Sequence, residues 1–129
     1  MGWCKGIGLS VALLMGLCAP AAAEKLLFIP LDSRPVSLAY TVDSFRKAGV
    51  QVVTPPGEYL ANDRQTGDPV KLSQWLEQEA RGADGAVVSL DSLIYGGLAP
   101  SRTHELDPQV LAKRAEGLLA FKERHPGVP

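Results

Sequence analysis

Two aspartates each stand directly after a short apolar segment of the chain. Asp32 follows the run Leu26–Leu31, and Asp91 follows Ala86–Leu90. Apolar runs of this length without helical spacing are typical of strands buried on both faces of a parallel sheet, whose ligands bind beyond the carboxyl ends of the strands. If these two strands are neighbours, their ends lie about 5 Å apart. Both carboxylates can then face one pocket, as acid–base chemistry and glycoside hydrolysis require. The alternative is structural: a strand-end aspartate can cap a helix or pair with a neighbour such as Arg34.

Other polar groups and glycines near these strand ends are candidates for holding a substrate. Arginine presents a fork of donors to a carboxylate or phosphate, so two arginines can clamp an anionic group. Each can equally tie a loop to an aspartate. A Gly-Gly pair permits close approach of the backbone to a ligand, although a plain turn explains it equally well. The predicted substrate-binding residues are Arg34, Tyr95, Gly96, Gly97, Ser101 and Arg102.

Other chemistries receive less support from the sequence. The Asp32-Ser33 pair resembles the dipeptide of G-D-S-type esterases, but Leu31 replaces the glycine and no Asp-x-x-His follows. A serine hydroxyl without a base is a weak nucleophile, so a serine esterase is a minor alternative. His104 and His125 lack metal-ligand spacing, and the glycine pair matches neither G-x-G-x-x-G nor a P-loop. The sequence implies no metal and no particular cofactor.

The elements that must position these residues alternate between strand and helix. Besides the two strands above, Val50–Val53 is β-branched and predicts a third. Three helices are predicted, beginning with Ser33 as a cap before Pro35, with Asp68-Pro69, and with Asp107-Pro108. The segments 58–67 and 91–106 are predicted to be connections. The pattern predicts an α/β fold, a three-layer βαβαβα arrangement around a parallel sheet.

The first part of the chain differs from the rest. Residues 1–23 contain one cation, Lys5, then an uncharged apolar stretch, and end in Ala21-Ala22-Ala23. This is the layout of a cleaved signal peptide. A spanning helix needs about 20 apolar residues, and a lipoprotein signal would require acylation of Cys18, which follows an unfavourable leucine. The sequence predicts an exported protein, periplasmic or secreted, with one domain over residues 24–129 and no membrane span after cleavage.

Composition narrows the function classes. The 129 residues include 13 Lys+Arg and 14 Asp+Glu, giving a net charge of −1. This balance argues against a nucleic-acid binder and a disordered tail. The segment 125–129 reads as a connector from helix to strand, so we predict the N-terminal portion of a larger α/β domain. The alternative is a small protein that completes its sheet by self-association.

Two segments resemble a known bacterial family. They are KLLFIPLDSRPVS (Lys25–Ser37) and VSLDSLIYGGLAPSR (Val88–Arg102). Both are similar to the N-terminal signatures P-L-D-x-R-P and S-x-D-x-x-x-Y-G-G-L-x-x-S-R of domain-of-unknown-function family 4127. The resemblance implies that members are several times longer and share the polar strand-end residues. It supplies no activity.

Three functional interpretations remain open at this point. The first is an exported hydrolase-like enzyme, or its fragment, that acts on a carbohydrate or another polar substrate. In this interpretation Asp32 and Asp91 are the catalytic acid–base or orienting groups. The second is a periplasmic binding module that holds a polar ligand without turnover. The third is a truncated fragment without function of its own.

Overall fold

The three predicted strands form one parallel sheet. The computed structural model describes residues 24–129, and the predicted signal peptide lies outside the described residues. The strands are β1 (Lys25–Ile29), β2 (Gln51–Val53) and β3 (Gly85–Val88), in the order β2-β1-β3. In the central strand, Leu27 is in register with Val53 on one side and Ala86 on the other. The ends of β1 and β3 are therefore adjacent, so the condition set for the two aspartates, that their strands be neighbours, is met.

Helices cover both faces of this sheet. Within residues 24–129 they are α1 (Ala39–Lys47), α2 (Pro69–Glu79), α3 (Leu98–Thr103) and α4 (Pro108–Arg124). Alternate side chains of a strand point to opposite faces. Phe28 therefore packs with Val42 of α1 and Val52 of β2 on one face. The opposite face carries the larger cluster, which includes Leu27, Ile29, Leu72, Trp75, Leu76 and Phe121. The predicted three-layer α/β arrangement is confirmed.

Two of the three predicted helix starts are confirmed. Asp68 accepts hydrogen bonds from the N–H groups of Val70 and Lys71, and Asp107 accepts one from Gln109. A proline follows each cap, where its missing N–H costs nothing. The predicted cap at Ser33 is wrong, because α1 begins at Ala39 without a side-chain cap.

The first helix starts late because the residues before it have other hydrogen-bond partners. The Ser33 N–H donates to the carbonyl of Ala61 at 2.9 Å, which ties this segment to the loop after β2. The Asp32 carboxylate accepts the N–H of Arg34. Residues 33–38 consequently form bends and turns before regular helix begins.

The segments predicted as connections contain short helical elements. A 3-10 turn covers Gly57–Tyr59, a π-helical turn covers Asp91–Tyr95, and α3 begins at Leu98. Gly96 and Gly97 separate the last two with φ of 88° and 133°. Elements of one or two turns are too short to establish an apolar period, so sequence patterning does not reveal them.

The C-terminal residues pack beside β3. The N–H of Ala86 donates to the carbonyl of Pro129 at 3.2 Å, and Val128 is buried. Lys122 of α4 donates to the carbonyl of Val128. No helix within residues 24–129 has the length and apolar character needed to cross a membrane.

Glu77 links α2 to the end of α4. Its carboxylate oxygens lie 2.8 Å from Nη2 of Arg124 and 2.7 Å from Nε2 of His125. The hydrogen bonds from Arg124 and His125 lower the pKa of Glu77 to about 2, against a small opposing effect of burial. The ionised carboxylate therefore stabilises the folded state.

Glu77→Gln is expected to reduce the free energy of unfolding at pH 7 by less than about 1 kcal/mol, because the pair is partly exposed. The pKa is lower in the folded than in the unfolded chain, so this stabilisation is present above pH 4.5 and disappears as the pH falls towards 2. Urea unfolding at pH 7 and pH 3 measures the difference. The exposed variant Glu116→Gln is the control, and an equal loss at both pH values would contradict the prediction.

Candidate functional site

A pocket of about 530 Å³ opens beyond the carboxyl ends of β1 and β2. Its walls are Asp32 and Arg34 after β1, residues 61–66 of the loop after β2, and residues 98–100 at the start of α3. We call it the strand-end pocket. Its position is where open parallel sheets bind ligands.

Asp32 lies at the inner wall of the strand-end pocket. Its residue surface is 7% exposed, and its carboxylate accepts bonds from Nε of Arg34 at 2.8 Å and from the Arg34 N–H at 3.1 Å. Burial raises the pKa of Asp32, but the hydrogen bonds from Arg34 and Ser37 outweigh it and hold the pKa below its ordinary value. Asp32 is therefore ionised at neutral pH and cannot donate a proton there.

Arg34 is held in place by this carboxylate. Nη2 of Arg34 lies 2.7 Å from Oδ2 of Asp32, the same oxygen that accepts the hydrogen bond from Nε. The same contacts raise the pKa of Arg34. The Arg34 side chain is 59% exposed, and Nη1 is the nitrogen that Asp32 does not engage. Asp32 thus pairs with Arg34, which was its structural alternative in the sequence analysis, and the pairing orients a donor at the pocket.

The loop after β2 supplies most of the polar wall. Oδ1 of Asn62 accepts the N–H groups of Arg64 and Gln65 at 2.8 and 3.0 Å. Nε2 of Gln65 donates to the carbonyls of Glu58 and Leu60 at 3.3 and 3.4 Å. Sequence patterns do not single out this loop as part of a site. Its one local signal is Asn62, a residue type that closes turns through its own side chain.

Asp91, the second predicted catalytic residue, is not part of the strand-end pocket. It begins the π-helical turn after β3 and does not line the strand-end pocket, although its strand is the neighbour of β1. Tyr95, at the end of the same turn, packs against the ring of His104 with centroids 4.8 Å apart.

The remaining predicted binding residues on α3 also lie outside the strand-end pocket lining. Ser101 donates its hydroxyl to the carbonyl of Leu98 at 2.8 Å, and Arg102 is exposed in the last turn of the helix. The residues of α3 that do line the pocket are Leu98, Ala99 and Pro100, at the start of the helix. Of the predicted site residues, the pocket brings together Asp32 and Arg34.

The Gly96-Gly97 pair was predicted to allow close approach of a ligand to the backbone or to form a plain turn. In the structure, other residues of the protein approach it closely. The carbonyl of Gly96 accepts the N–H of Gly67 at 2.7 Å. A Cβ on Gly97 would lie 2.7 Å from Cβ of Ala61, and a Cβ on Gly96 would lie 2.7 Å from the carbonyl oxygen of Gly67. The pair therefore joins the turn after β3 to the loop that walls the pocket.

Ser92 makes a second connection between strand ends. It is 2% exposed, and its hydroxyl donates to the carbonyls of Pro30 and Leu31 at 2.7 and 3.0 Å. Sequence patterns do not single out Ser92 among the polar residues after β3. Its contacts lie 61 and 62 positions away along the chain, so no local signal identifies them.

Neither histidine of residues 24–129 is engaged with Ser33. Nδ1 of His104 accepts the N–H of Leu106, and Nε2 of His125 contacts Glu77. The Ser33 hydroxyl thus has no imidazole partner. Within the same residues, no three His, Cys, Asp or Glu side chains are placed to hold a metal ion.

A parallel sheet covered on both faces, with a pocket of charged, amide and apolar side chains beyond its strand ends, defines an α/β protein with a candidate strand-end site. The chain belongs to the family described as "Protein of unknown function (DUF4127)", whose model matches residues 26–129. The family predicted from Lys25–Ser37 and Val88–Arg102 is thereby confirmed. No curated protein and no solved structure matches the chain.

Proposed function

We propose that the strand-end pocket binds a polar small molecule outside the cytoplasm and holds it without converting it. The observation that carries the proposal is the locked Asp32–Arg34 pair at the pocket wall. A donor fixed before the ligand arrives loses little conformational freedom on binding. The Asn62 side chain in the loop after β2 is also held in place, by hydrogen bonds from backbone N–H groups, and is a further preorganised partner for a ligand.

Binding is favoured over hydrolysis by the state of the two aspartates. Hydrolysis by a carboxyl pair requires two groups that face one substrate, one of them protonated to serve as the acid. Asp32 is paired with Arg34, which lowers its pKa, and Asp91 is not part of the pocket lining. Hydrolysis of a carbohydrate or another polar substrate by this pair stays a prediction that the experiment below also tests.

The extracytoplasmic location is supported by the sequence of residues 1–23. Their single cation, apolar stretch and terminal alanines have the order of a signal peptide. The mature chain is then expected to begin at Glu24.

The test is a thermal-shift titration of the full chain, expressed in a bacterium and collected from the periplasmic fraction. The probes are neutral monosaccharides, uronic acids, amino acids and dicarboxylates. A probe at ten times its Kd is expected to add about 1.4 kcal/mol of stability, which raises the Tm of a domain this small by several degrees. N-terminal sequencing should start at Glu24, and chromatography after long incubation should recover the probe unchanged.

The matched variants are Arg34→Gln and Arg46→Gln. Arg34→Gln is expected to abolish the ligand-induced shift relative to its own unliganded Tm, whereas Arg46 is exposed on α1 and its variant should keep the shift. Absence of a shift with every probe would contradict the binding proposal. Product formation that Asp32→Asn and Asp91→Asn abolish would instead establish hydrolysis.

A further inference from the structure

We infer that the ligand of the strand-end pocket is a neutral, hydroxyl-rich molecule of the saccharide class rather than an anion. This inference rests on the proposed function and narrows it to one ligand chemistry. Three features of the pocket carry it: the balance of its charges, the hydrogen-bonding groups left on its amides, and its apolar wall.

The charges that line the pocket cancel. Arg34 is paired with Asp32 at 2.7 Å, and Arg64 lies 3.9 Å from the carboxylate of Asp63. An anion placed against either guanidinium would also stand near a carboxylate, and the repulsion offsets much of the attraction. A neutral hydroxyl can donate to the carboxylate and accept from the guanidinium of the same pair, with both hydrogen bonds assisted by charge.

The two amides of the loop present complementary groups. Oδ1 of Asn62 is occupied by backbone N–H groups, so its NH₂ is the group that remains for a ligand. Nε2 of Gln65 donates to backbone carbonyls, so the side-chain oxygen Oε1 of Gln65 remains as an acceptor for a ligand. The pocket thus offers a donor and an acceptor on neighbouring residues, and Thr66 beside them can serve as either. Vicinal hydroxyl groups match this pattern, because each hydroxyl both donates and accepts.

Part of the pocket wall is apolar. It consists of Ala61 with Leu98, Ala99 and Pro100 at the start of α3. A sugar ring carries hydroxyls at its edge and C–H groups on its faces, so one molecule can use both the polar and the apolar parts of the wall. The pocket volume of about 530 Å³ lies within the range found for small-molecule sites and accommodates such a ring.

The test compares sugars that differ in one carboxylate. Glucose is paired with glucuronate and galactose with galacturonate, and each is titrated into the isotope-labelled full chain while the side-chain amide signals of Asn62 and Gln65 are followed by NMR. At least one neutral sugar is expected to bind with a Kd at least tenfold below that of its uronate. Its Kd should change less than twofold between 20 and 500 mM salt, since no net charge is neutralised on binding.

Asn62→Asp is the variant that probes the donor. It retains an oxygen for the Arg64 and Gln65 N–H groups but replaces the NH₂ by a second acceptor, and it should raise the Kd of the neutral sugar about tenfold. Gln51→Glu makes the same change of amide to acid at an exposed position of β2 and should leave the Kd unchanged.

The outcomes separate the inference from the function on which it rests. A uronate that binds as tightly as its neutral partner, or more tightly, overturns the neutral-ligand assignment and leaves the binding function standing. Lack of binding by all four sugars overturns the saccharide assignment. The binding function then stands only if another probe of the thermal-shift panel gives a shift that Arg34→Gln removes.

Discussion

Gly97→Ala is expected to lower the free energy of unfolding by about 2–4 kcal/mol, the largest effect of the single substitutions considered. Two costs combine at this position. The φ of Gly97 is 133°, which residues with a Cβ rarely adopt. The added Cβ would also lie 2.7 Å from Cβ of Ala61, so that the loop after β2 or the turn after β3 must move.

Urea unfolding of the full chain measures this effect, and Gly117→Ala is its matched control. Gly117 lies in the interior of α4, and a Cβ there meets nothing within 4 Å. Alanine should stabilise that helix by about 0.5–1 kcal/mol. Opposite signs for the same chemical change would show that the positive φ and the close approach at Gly97, and not the added methyl group itself, cause the loss. A Gly97→Ala variant as stable as the original chain would show that the two loops are not held in contact.

Ser92→Ala is expected to cost about 1–3 kcal/mol, because two acceptors near the end of β1 lose their donor. The serine hydroxyl is buried and contacts the carbonyls of Pro30 and Leu31. Alanine cannot donate, and the buried position gives water little access to replace the hydroxyl. The loss should therefore exceed that of an ordinary serine substitution.

Ser44→Ala provides the comparison for this prediction. Ser44 also donates its hydroxyl to a backbone carbonyl, that of Tyr40 at 2.8 Å, but both residues are exposed on α1. Water can take over there, so the expected change is within about 0.5 kcal/mol. Equal effects at the two serines would indicate that the contact between the π-helical turn and β1 is not formed in solution.

Both predictions concern contacts that position the strand-end pocket. Gly97 packs against Ala61, which is a wall residue of the pocket. Ser92 holds the turn after β3 to the residues that immediately precede Asp32. We therefore expect a Ser92→Ala chain that remains folded to bind the pocket's ligand more weakly than Ser44→Ala, because the orientation of the Asp32–Arg34 pair depends on that segment.

Features that depend on local sequence were predictable. The central strand has three consecutive buried residues, as expected for a strand covered on both faces, and Asp68 and Asp107 cap their helices through hydrogen bonds two or three residues away. The alternation of strands and helices predicted the parallel sheet, whereas the order of its strands was given by the structure. The cap at Ser33 was mispredicted, because the partner of its N–H is Ala61, a residue in another loop.

The sequence by itself determined the α/β class, the family and the edge of the sheet where polar residues gather. Tertiary structure decided which of those residues share a pocket. Asp32 and Arg34 line the same pocket as the loop of residues 61–66, whereas Asp91 begins the π-helical turn after β3 and is not among the lining residues. The physical reason is that the pocket depends on bonds between distant segments, such as the Gly67 N–H to the Gly96 carbonyl. Such contacts form only when the sheet has brought its strand ends together, and residue spacing along the chain carries no record of them.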